Sequence, residues 1–344
     1  MATYRKLGLL AVISLVVSGC NTNNPPAAVE HPQGELHMMS WTHVTVGVAD
    51  LDSALALWTD EFGFDIRTRR DGPDEGLATL WGLSGGDAIT RQAVVGTPGV
   101  AHGLIHLVQF ASPGEPVRAG AEVFDLLPKN LDIHVKDLPA NFERMKADGR
   151  PFRSENYSEV TAAGGTTFRE IHMHGHDETN IVFVEVIGEE LPYSPTGFAG
   201  VGPIITIVPD AQQEQDFYVN LFGLEVLSKN LLAGETIEKM VGLPKGAGLD
   251  VRVLGEEVDE FGRIEIVDYQ GVEGKDRYAR AVAPALGTLH VRYEVADLGP
   301  LKTRLQDLGI PFDEFPSISS LLGAGDVLVF RSPAGLRIEA QQIG

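Results

Sequence analysis

An internal repeat with an offset of 160 residues constrains the fold of this chain more than any other feature of its sequence. The offset is constant over five landmarks in the two halves of the chain. The landmark pairs are Asp50 and Asp210, Gly63 and Gly223, Gly82 and Gly242, Asp137 and Asp297, and Pro151 and Pro311. A constant offset of this kind indicates a duplicated structural unit.

Each half contains two units that read as a strand, a helix and three further strands. The first unit opens with residues 43–48, in which alternate residues share one face, as expected for a strand. Asp52 or Ser53 can cap the helix that follows, and Gly63 stands where a helix ends in a positive φ. The pattern predicts an α+β fold built from four βαβββ modules. Four aromatic residues of the helices are expected in the core: Trp58, Phe62, Phe217 and Tyr218.

Residues 1–19 are typical of a bacterial lipoprotein signal peptide. The apolar run at 7–17 follows two basic residues and is too short to span a bilayer as a helix. Val17-Ser18-Gly19-Cys20 resembles a lipobox, which implies that Cys20 is acylated, and Asn21 favours the outer membrane. We expect residues 20–37 to form a flexible tether that holds the protein at the periplasmic face of that membrane. The alternative is an ordinary signal peptide cut after a small residue.

Charge and motifs exclude several classes of function. The formal net charge is −21, which argues against nucleic acid or an anionic lipid surface as a partner. Cys20 is the one cysteine of the sequence, so the chain cannot form an intramolecular disulfide. The sequence contains neither a phosphate-binding loop nor a Gly-x-Ser-x-Gly nucleophile motif.

The modules resemble those of the vicinal oxygen chelate superfamily, which includes glyoxalase I, extradiol dioxygenases and bleomycin-resistance proteins. The resemblance covers roughly residues 40–342 and depends on motifs that recur in order. They are Val-x-Asp-Leu at 48–51, 135–138 and 295–298, Phe-Gly-Phe or Phe-Gly-Leu at 62–64 and 222–224, and a closing hairpin at 331–339. The resemblance implies two paired, curved-sheet domains, expected at residues 38–190 and 200–344, whose concave faces hold a metal or a small ligand.

The superfamily places metal ligands at two positions of each module, the start of the first strand and the middle of the last strand. In the first half the matching residues are His43, His106 and Glu185. Asn130 departs from the pattern at the remaining position, where Asp132 or His134 is a possible substitute. Two histidines and a carboxylate suit ferrous iron, manganese or zinc.

The second half matches the same pattern with Glu265, His290 and Glu339. Pro203 replaces the first histidine and removes that ligand. Each half therefore keeps three of the four positions. The bland interpretation is that the histidines are surface or capping residues, and we expect His172, His174 and His176, which lie around a turn, to be of that kind.

The resemblance implies a divalent-metal-dependent lyase, isomerase or ring-cleaving dioxygenase that acts on a small oxygen-chelating substrate. Such a metal binds two substrate oxygens and stabilises an enolate or binds dioxygen. In the lyase route, a glutamate at a ligand position is a candidate to move the proton: Glu185 in the first half, or Glu265 and Glu339 in the second. The alternative is a metal-free protein that sequesters a small compound, as bleomycin-resistance proteins do, and the gaps at Asn130 and Pro203 favour it. A third possibility is that one half is catalytic and the other structural.

Overall fold

The computed structural model describes residues 40–85, 88–161, 165, 167–257 and 259–343. The predicted signal peptide, the tether and Cys20 lie outside the described residues, so their assignment stays a prediction. In the described part of the chain, no helix has the length and apolar character needed to cross a membrane.

Four modules follow one another along the chain. The first contains β1 (His43–Val48), α1 (Leu51–Leu55) with a π-helical continuation (Ala56–Glu61), β2 (Asp65–Asp71), α2 (Glu75–Leu80), β3 (Ile89–Gly96) and β4 (Leu104–Phe110). The second contains β5 (Pro128–Val135), α3 (Leu138–Ala147), β6 (Ser158–Thr161), β7 (Thr167–His174) and β8 (Asn180–Val186).

The third and fourth modules repeat this order. The third contains β9 (Phe198–Ile207), α4 (Ala211–Phe222), β10 (Glu225–Ala233), α5 (Glu235–Val241), β11 (Gly248–Gly255) and β12 (Arg263–Gln270). The fourth contains β13 (Gly287–Val295), α6 (Gly299–Asp307), β14 (Phe312–Ser320), β15 (Gly323–Arg331) and β16 (Arg337–Gln342). The predicted α+β fold with four βαβββ modules is confirmed. Modules one and three carry an additional short helix, α2 and α5.

The modules pair into two sheets of eight strands. The first sheet has the order β14-β15-β16-β13-β1-β4-β3-β2 and joins module one to module four. The second sheet has the order β10-β11-β12-β9-β5-β8-β7-β6 and joins module two to module three. The central contacts, β1 with β13 and β5 with β9, are antiparallel.

This pairing differs from the expected division of the chain into residues 38–190 and 200–344. The sheets join the outer two modules and the inner two modules, rather than the modules of each half. The constant offset shows which modules are equivalent, but it carries no information about which modules pair. Ligand sets assembled by sequence halves therefore have to be regrouped by sheet.

Alternation along β1 separates the core from the opposite face of the sheet. Val44, Val46 and Val48 pack in one hydrophobic core with residues of the helices. The four aromatic residues expected in that core, Trp58, Phe62, Phe217 and Tyr218, are buried there as predicted. His43 and Thr45 consequently belong to the other face of the strand.

The end of each last strand caps the first helix of its own module. Gln109 accepts a hydrogen bond from the backbone N of Leu51, and Gln342 accepts one from Leu298. Asp268 accepts from Ala211, and Glu185 from both Asp137 and Leu138. These contacts satisfy N–H groups that have no partner within the helix. The capping residue holds the last strand and the helix of each module in a fixed relation.

Candidate active site

Strand register places four predicted ligands on one face of the first sheet. In the antiparallel pair of β1 and β13, His43 lies opposite Arg292, and Thr45 lies opposite His290. In the flanking parallel pairs, His106 lies beside Thr45, and Glu339 lies beside Arg292. We call His43, His106, His290 and Glu339 the first-sheet cluster.

A local twofold relation links modules one and four in this cluster. It exchanges His43 with His290, and His106 with Glu339. Each half of the sequence filled only three of the four ligand positions. In the first sheet, all four positions carry a side chain that can bind a metal. On the same face, the twofold relation also exchanges Thr45 with Arg292, a neutral side chain with a charged one.

The three histidines are buried and held neutral. Burial, with the charges of Arg292 and His102, lowers the pKa of His43 to about 3. Burial also lowers the pKa of His290 to about 4, although the Glu339 carboxylate opposes the shift. The pKa of His106 is lowered well below its ordinary value, mainly by burial. Neutral imidazole is the form that binds a metal ion.

Glu339 is the ionised member of the cluster. Burial alone would raise its pKa, but His290, Arg337 and Arg292 outweigh burial and lower the value to about 2. Its Oε1 accepts hydrogen bonds from the indole Nε1 of Trp81 at 2.8 Å and from Nε of Arg337 at 3.0 Å. The carboxylate is therefore held in place and charged at neutral pH.

A chain of polar side chains fixes the tautomer of His106. The Asp74 carboxylate accepts hydrogen bonds from the Gln92 side-chain nitrogen at 2.8 Å and from the backbone N of Leu77 and Leu321. Because a carboxylate only accepts here, the amide nitrogen of Gln92 points to Asp74 and its oxygen points to His106. Nε2 of His106 then donates to Gln92 Oε1 at 2.8 Å, which leaves Nδ1 as the nitrogen with a lone pair.

Arg292 lies at the centre of the cluster face and is fully buried. Its Nη2 lies 3.3 Å from Oε2 of Glu339, in an ion pair that lacks hydrogen-bond alignment. Burial lowers its pKa from the ordinary value, and the Glu339 and Glu294 carboxylates oppose that shift. A cation is thus built into the same face as the four candidate ligands.

The donor chemistry of the cluster fits a divalent ion. Several buried atoms of the cluster have no hydrogen-bond partner: Nδ1 of His43, both ring nitrogens of His290 and Oε2 of Glu339. Three neutral imidazoles and one carboxylate suit iron, manganese or zinc. In the described part of the chain, however, no three His, Cys, Asp or Glu side chains are close enough to hold one ion together.

The fold is similar to that of solved glyoxalases. The structure of glyoxalase I from Zea mays covers 88% of this chain and 92% of its own at 15% identity, with a TM-score of 0.59. A single-residue mutant of that enzyme gives 17% identity and a TM-score of 0.61 over 88% and 92% of the two chains. A proposed dioxygenase from Bacillus subtilis covers 90% of this chain and 86% of its own at 12% identity, with a TM-score of 0.57.

The chain has the vicinal oxygen chelate fold. The resemblance predicted from the module motifs is therefore confirmed at the level of the fold. No protein-family model matches the chain, and no curated protein matches it in sequence.

In this vicinal oxygen chelate fold, the second sheet keeps fewer of the candidate ligands. Its parallel pair places Val182 beside Asp132, the position that His106 holds beside Thr45 in the first sheet. Pro203 and Asn130 occupy the positions equivalent to His43 and His290, and Glu265 is the acidic residue that remains. At three of its four positions, the second sheet thus departs from the ligand pattern, with Asn130, Val182 and Pro203.

Glu185 does not lie with His43 and His106, so the set proposed for the first half of the sequence is not brought together. It lies in the second sheet, three residues beyond the ligand position at Val182. Its carboxylate caps α3 and also receives Arg169 at 3.0 Å. The alignment of the sequence halves placed Glu185 at the ligand position, three residues from the true one at Val182. The residues around Glu185 are apolar, so no sign of this offset is visible in the sequence.

Polar groups also line a small cavity of about 30 Å³ in the second sheet. Asp132, Glu170 and Glu265 line it together with Lys129 and His172. Burial and the charges of Glu265 and Glu170 raise the pKa of Asp132 well above its ordinary value, whereas burial lowers that of Lys129 to about 7. His172 bonds to Glu170 at 2.9 Å. The cavity has room for about one or two water molecules.

The three turn histidines take different positions. Nε2 of His176 accepts a hydrogen bond from the indole Nε1 of Trp58 at 2.9 Å. Its Nδ1 lies 3.2 Å from Asp177, which accepts from the backbone N of Ala49. His176 therefore ties the hairpin of module two to module one, a structural role that a surface interpretation did not include.

Proposed function

We propose that the first-sheet cluster is the divalent-metal site of an enzyme, a lyase, an isomerase or a ring-cleaving dioxygenase that acts on a small oxygen-chelating substrate. One observation carries the proposal. The pairing of the outer modules joins three neutral histidines and one ionised glutamate at four equivalent positions on a single face.

His43, His106, His290 and Glu339 would hold the ion, which would supply Lewis-acid polarisation of substrate oxygens. By accepting the hydrogen bond from Nε2, Gln92 would keep the lone pair of His106 on Nδ1, where the ion would take the place of the 3.5 Å contact with Thr45. Trp81 packs over the cluster, with its ring centroid 5.3 Å from that of His290 and 6.2 Å from that of His106. It would help to exclude water from the reacting atoms.

Glu339 is the candidate to move a substrate proton, provided that one of its present contacts is released. Its low pKa makes it a weak base while Arg337 and Trp81 hold it, so loss of one of those contacts would have to accompany proton transfer. Glu185 is left out of the proposed chemistry because its carboxylate caps α3.

The second candidate is a metal-free binding protein of the bleomycin-resistance kind. Two observations favour it: no three chelating side chains converge within the described residues, and Arg292 supplies a positive charge at the cluster without any metal. In this case the same face would bind a ligand through Arg292 and the histidines.

Metal analysis of the purified, tag-free protein separates the two candidates. We expect about one equivalent of iron, manganese or zinc, lost from the His290→Ala variant. Asn130→Ala, which changes the equivalent strand start in the second sheet, is the matched control and should keep the metal. Absence of metal, together with a thermal stability that chelators leave unchanged, would rule out the metalloenzyme.

We also propose that the chain is anchored by a lipid on Cys20 at the periplasmic face of the outer membrane. Radiolabelled palmitate should be incorporated into the chain expressed in a bacterium and should be absent from Cys20→Ala. Release of the unmodified wild-type chain in soluble form would contradict the anchor.

A further inference from the structure

We infer that Arg292 binds an oxyanion of the substrate, so that the first-sheet cluster takes a small carboxylic acid with a second oxygen on the neighbouring carbon. The inference rests on the proposed function and narrows it to a class of substrate. It depends on the unused hydrogen-bond donors of Arg292, the engagement of the nearby carboxylates elsewhere and its place beside the candidate ligands.

The guanidinium of Arg292 is buried with its donors unused. The residue is 0% exposed, and its Nε, Nη1 and Nη2 all lack a hydrogen-bond partner within the described residues. A buried cation is costly unless its donors are paired. The donors of Arg292 therefore indicate a partner that the protein itself does not supply.

Glu339 does not satisfy Arg292. Its Oε1 is already bonded by Trp81 and Arg337, and its Oε2 lies 3.3 Å from Arg292 without hydrogen-bond alignment. The planar guanidinium matches a carboxylate with two parallel hydrogen bonds, a geometry that an incoming anion can complete.

The carboxylates near Arg292 are engaged elsewhere. The Glu339 carboxylate receives Arg337 at 3.0 Å, and Asp74 is paired with Arg70 at 2.6 Å. Glu294 lies at the edge of the face, 3.8 Å from His43, and makes no hydrogen bond to Arg292. A divalent ion would add further positive charge to this face.

The local twofold relation makes Arg292 specific to one side of the cluster. Its counterpart Thr45 is neutral and lies 3.5 Å from Nδ1 of His106. A ligand that bridged the cluster would therefore meet a guanidinium on one side and a hydroxyl on the other. This asymmetry would orient a substrate with one carboxylate end and one neutral oxygen.

Equilibrium binding of three probes tests the inference: oxalate and glyoxylate as anions, and catechol as a neutral compound with adjacent oxygens. Each is titrated by calorimetry into the Mn²⁺-loaded protein and into the metal-free protein. We expect Arg292→Gln to weaken oxalate and glyoxylate about 10- to 100-fold and to change catechol less than about threefold. Arg331→Gln, from β15 of the same sheet, is the control and should bind oxalate as the wild type does.

Arg292→Lys keeps the charge but loses the paired donors. We expect its affinity for oxalate to lie between those of the wild type and Arg292→Gln. It also serves if Arg292→Gln does not fold. Sulfate as a fourth probe separates sources of the anion: oxalate bound more tightly than sulfate supports a carboxylate substrate, and sulfate bound equally well overturns it.

The outcomes separate this inference from the proposed function. If no metal binds, the proposed function fails, and oxalate binding to the metal-free protein that is lost in Arg292→Gln still supports the anion site. Oxalate binding that is unchanged in Arg292→Gln overturns the inference. Tighter Mn²⁺ binding by Arg292→Gln, with unchanged oxalate binding, also overturns the inference. Arg292 would then supply the positive charge of an absent metal ion and would not bind the anion.

Discussion

Trp81 of the first module donates a hydrogen bond from its indole Nε1 to Oε1 of Glu339 in the fourth module, over 2.8 Å. Arg337 adds a second link, because its Nη2 donates to the carbonyl oxygen of Leu80 at 3.0 Å. Together these contacts fasten the end of α2 over the first-sheet cluster. The cover and the candidate ligand thus come from opposite ends of the chain.

Trp81→Phe tests the strength of that link. A phenyl ring replaces the indole and the donor to a buried carboxylate is lost, so we expect the free energy of unfolding to fall by about 2 kcal/mol. Trp58→Phe is the comparison, because it makes the same change and removes a similar donor to Nε2 of His176; the lost hydrogen bond should cost about 1 kcal/mol. Urea denaturation of both variants gives the two values. Equal losses would show that the charge of Glu339 does not strengthen the bond.

Gln92→Leu tests the polar chain behind His106. Without the acceptor for Nε2, the imidazole loses both its orientation and its fixed tautomer, and we expect Mn²⁺ to bind about 10- to 100-fold more weakly. Nitrogen NMR of the His106 ring provides a readout that does not depend on metal: the wild type should show a protonated Nε2. A protonated Nδ1 in the wild type would contradict the assignment.

Glu185→Ala tests the capping role against the predicted ligand role. Loss of the acceptor for two backbone N–H groups of α3 should lower the free energy of unfolding by about 1–2 kcal/mol, with metal content unchanged. Glu185→Gln keeps an acceptor oxygen and should lose less. Loss of metal from a folded Glu185→Ala protein would return this residue to the ligand set.

Glu214 is expected to make stability depend on pH. It is buried on α4 and accepts from the backbone N of Ala334 at 2.8 Å, and burial raises its pKa from 4.5 to about 7. The folded state therefore holds the proton more tightly than the unfolded state. The stability it contributes is complete below about pH 4.5 and is lost as the pH rises through about 7, by up to about 3 kcal/mol.

Glu214→Gln removes this titration while retaining an acceptor oxygen. The difference in unfolding free energy between wild type and variant should shift in favour of the variant as the pH rises from about 4.5 to about 7. Denaturant titrations at several pH values measure it. A difference that stays constant with pH would show that the Glu214 pKa is close to its ordinary value.

Gly76→Ala tests the packing of α2. In an exposed helix this change stabilises by up to about 1 kcal/mol, but an added Cβ here would lie 2.0 Å from the backbone oxygen of Ser319. Because backbone must move, we expect a net loss of about 2 kcal/mol or more in the thermal or chemical denaturation of the protein. Thr79→Ala, on the exposed side of the same helix, is the control and should stay within about 0.5 kcal/mol. A stabilised Gly76→Ala protein would mean that α2 sits farther from β14.

The sequence allowed the modules, their helices and the aromatic core to be predicted because these depend on local periodicity and on turns such as Gly63. The partner of each module could not be predicted. The repeat offset identifies equivalent strands, whereas the pairing of β1 with β13 depends on contacts between distant segments. This is why His43 was grouped with Glu185 rather than with His290.

The candidate site was therefore predicted in its parts and not in its assembly. His43, His106, His290 and Glu339 were all named, and their role as metal ligands stays a prediction. Arg292 was missed although a signal existed: it is a charged residue in an apolar strand, two positions after His290 and on the same face. Gln92 and Asp74 gave no comparable signal, because their role depends on a hydrogen-bond chain that only the fold reveals.

The pairing of the outer modules has a consequence for the order in which the molecule can be made. The strands of the second sheet come from adjacent modules and are all present once β12 has been synthesised. The strands of module one must wait, with the edge of β1 unpaired, until β13 to β16 exist. Glu339 lies on β16, so a translation product that stops short of it would lack a complete cluster. The proposed chemistry therefore requires a chain that extends through β16.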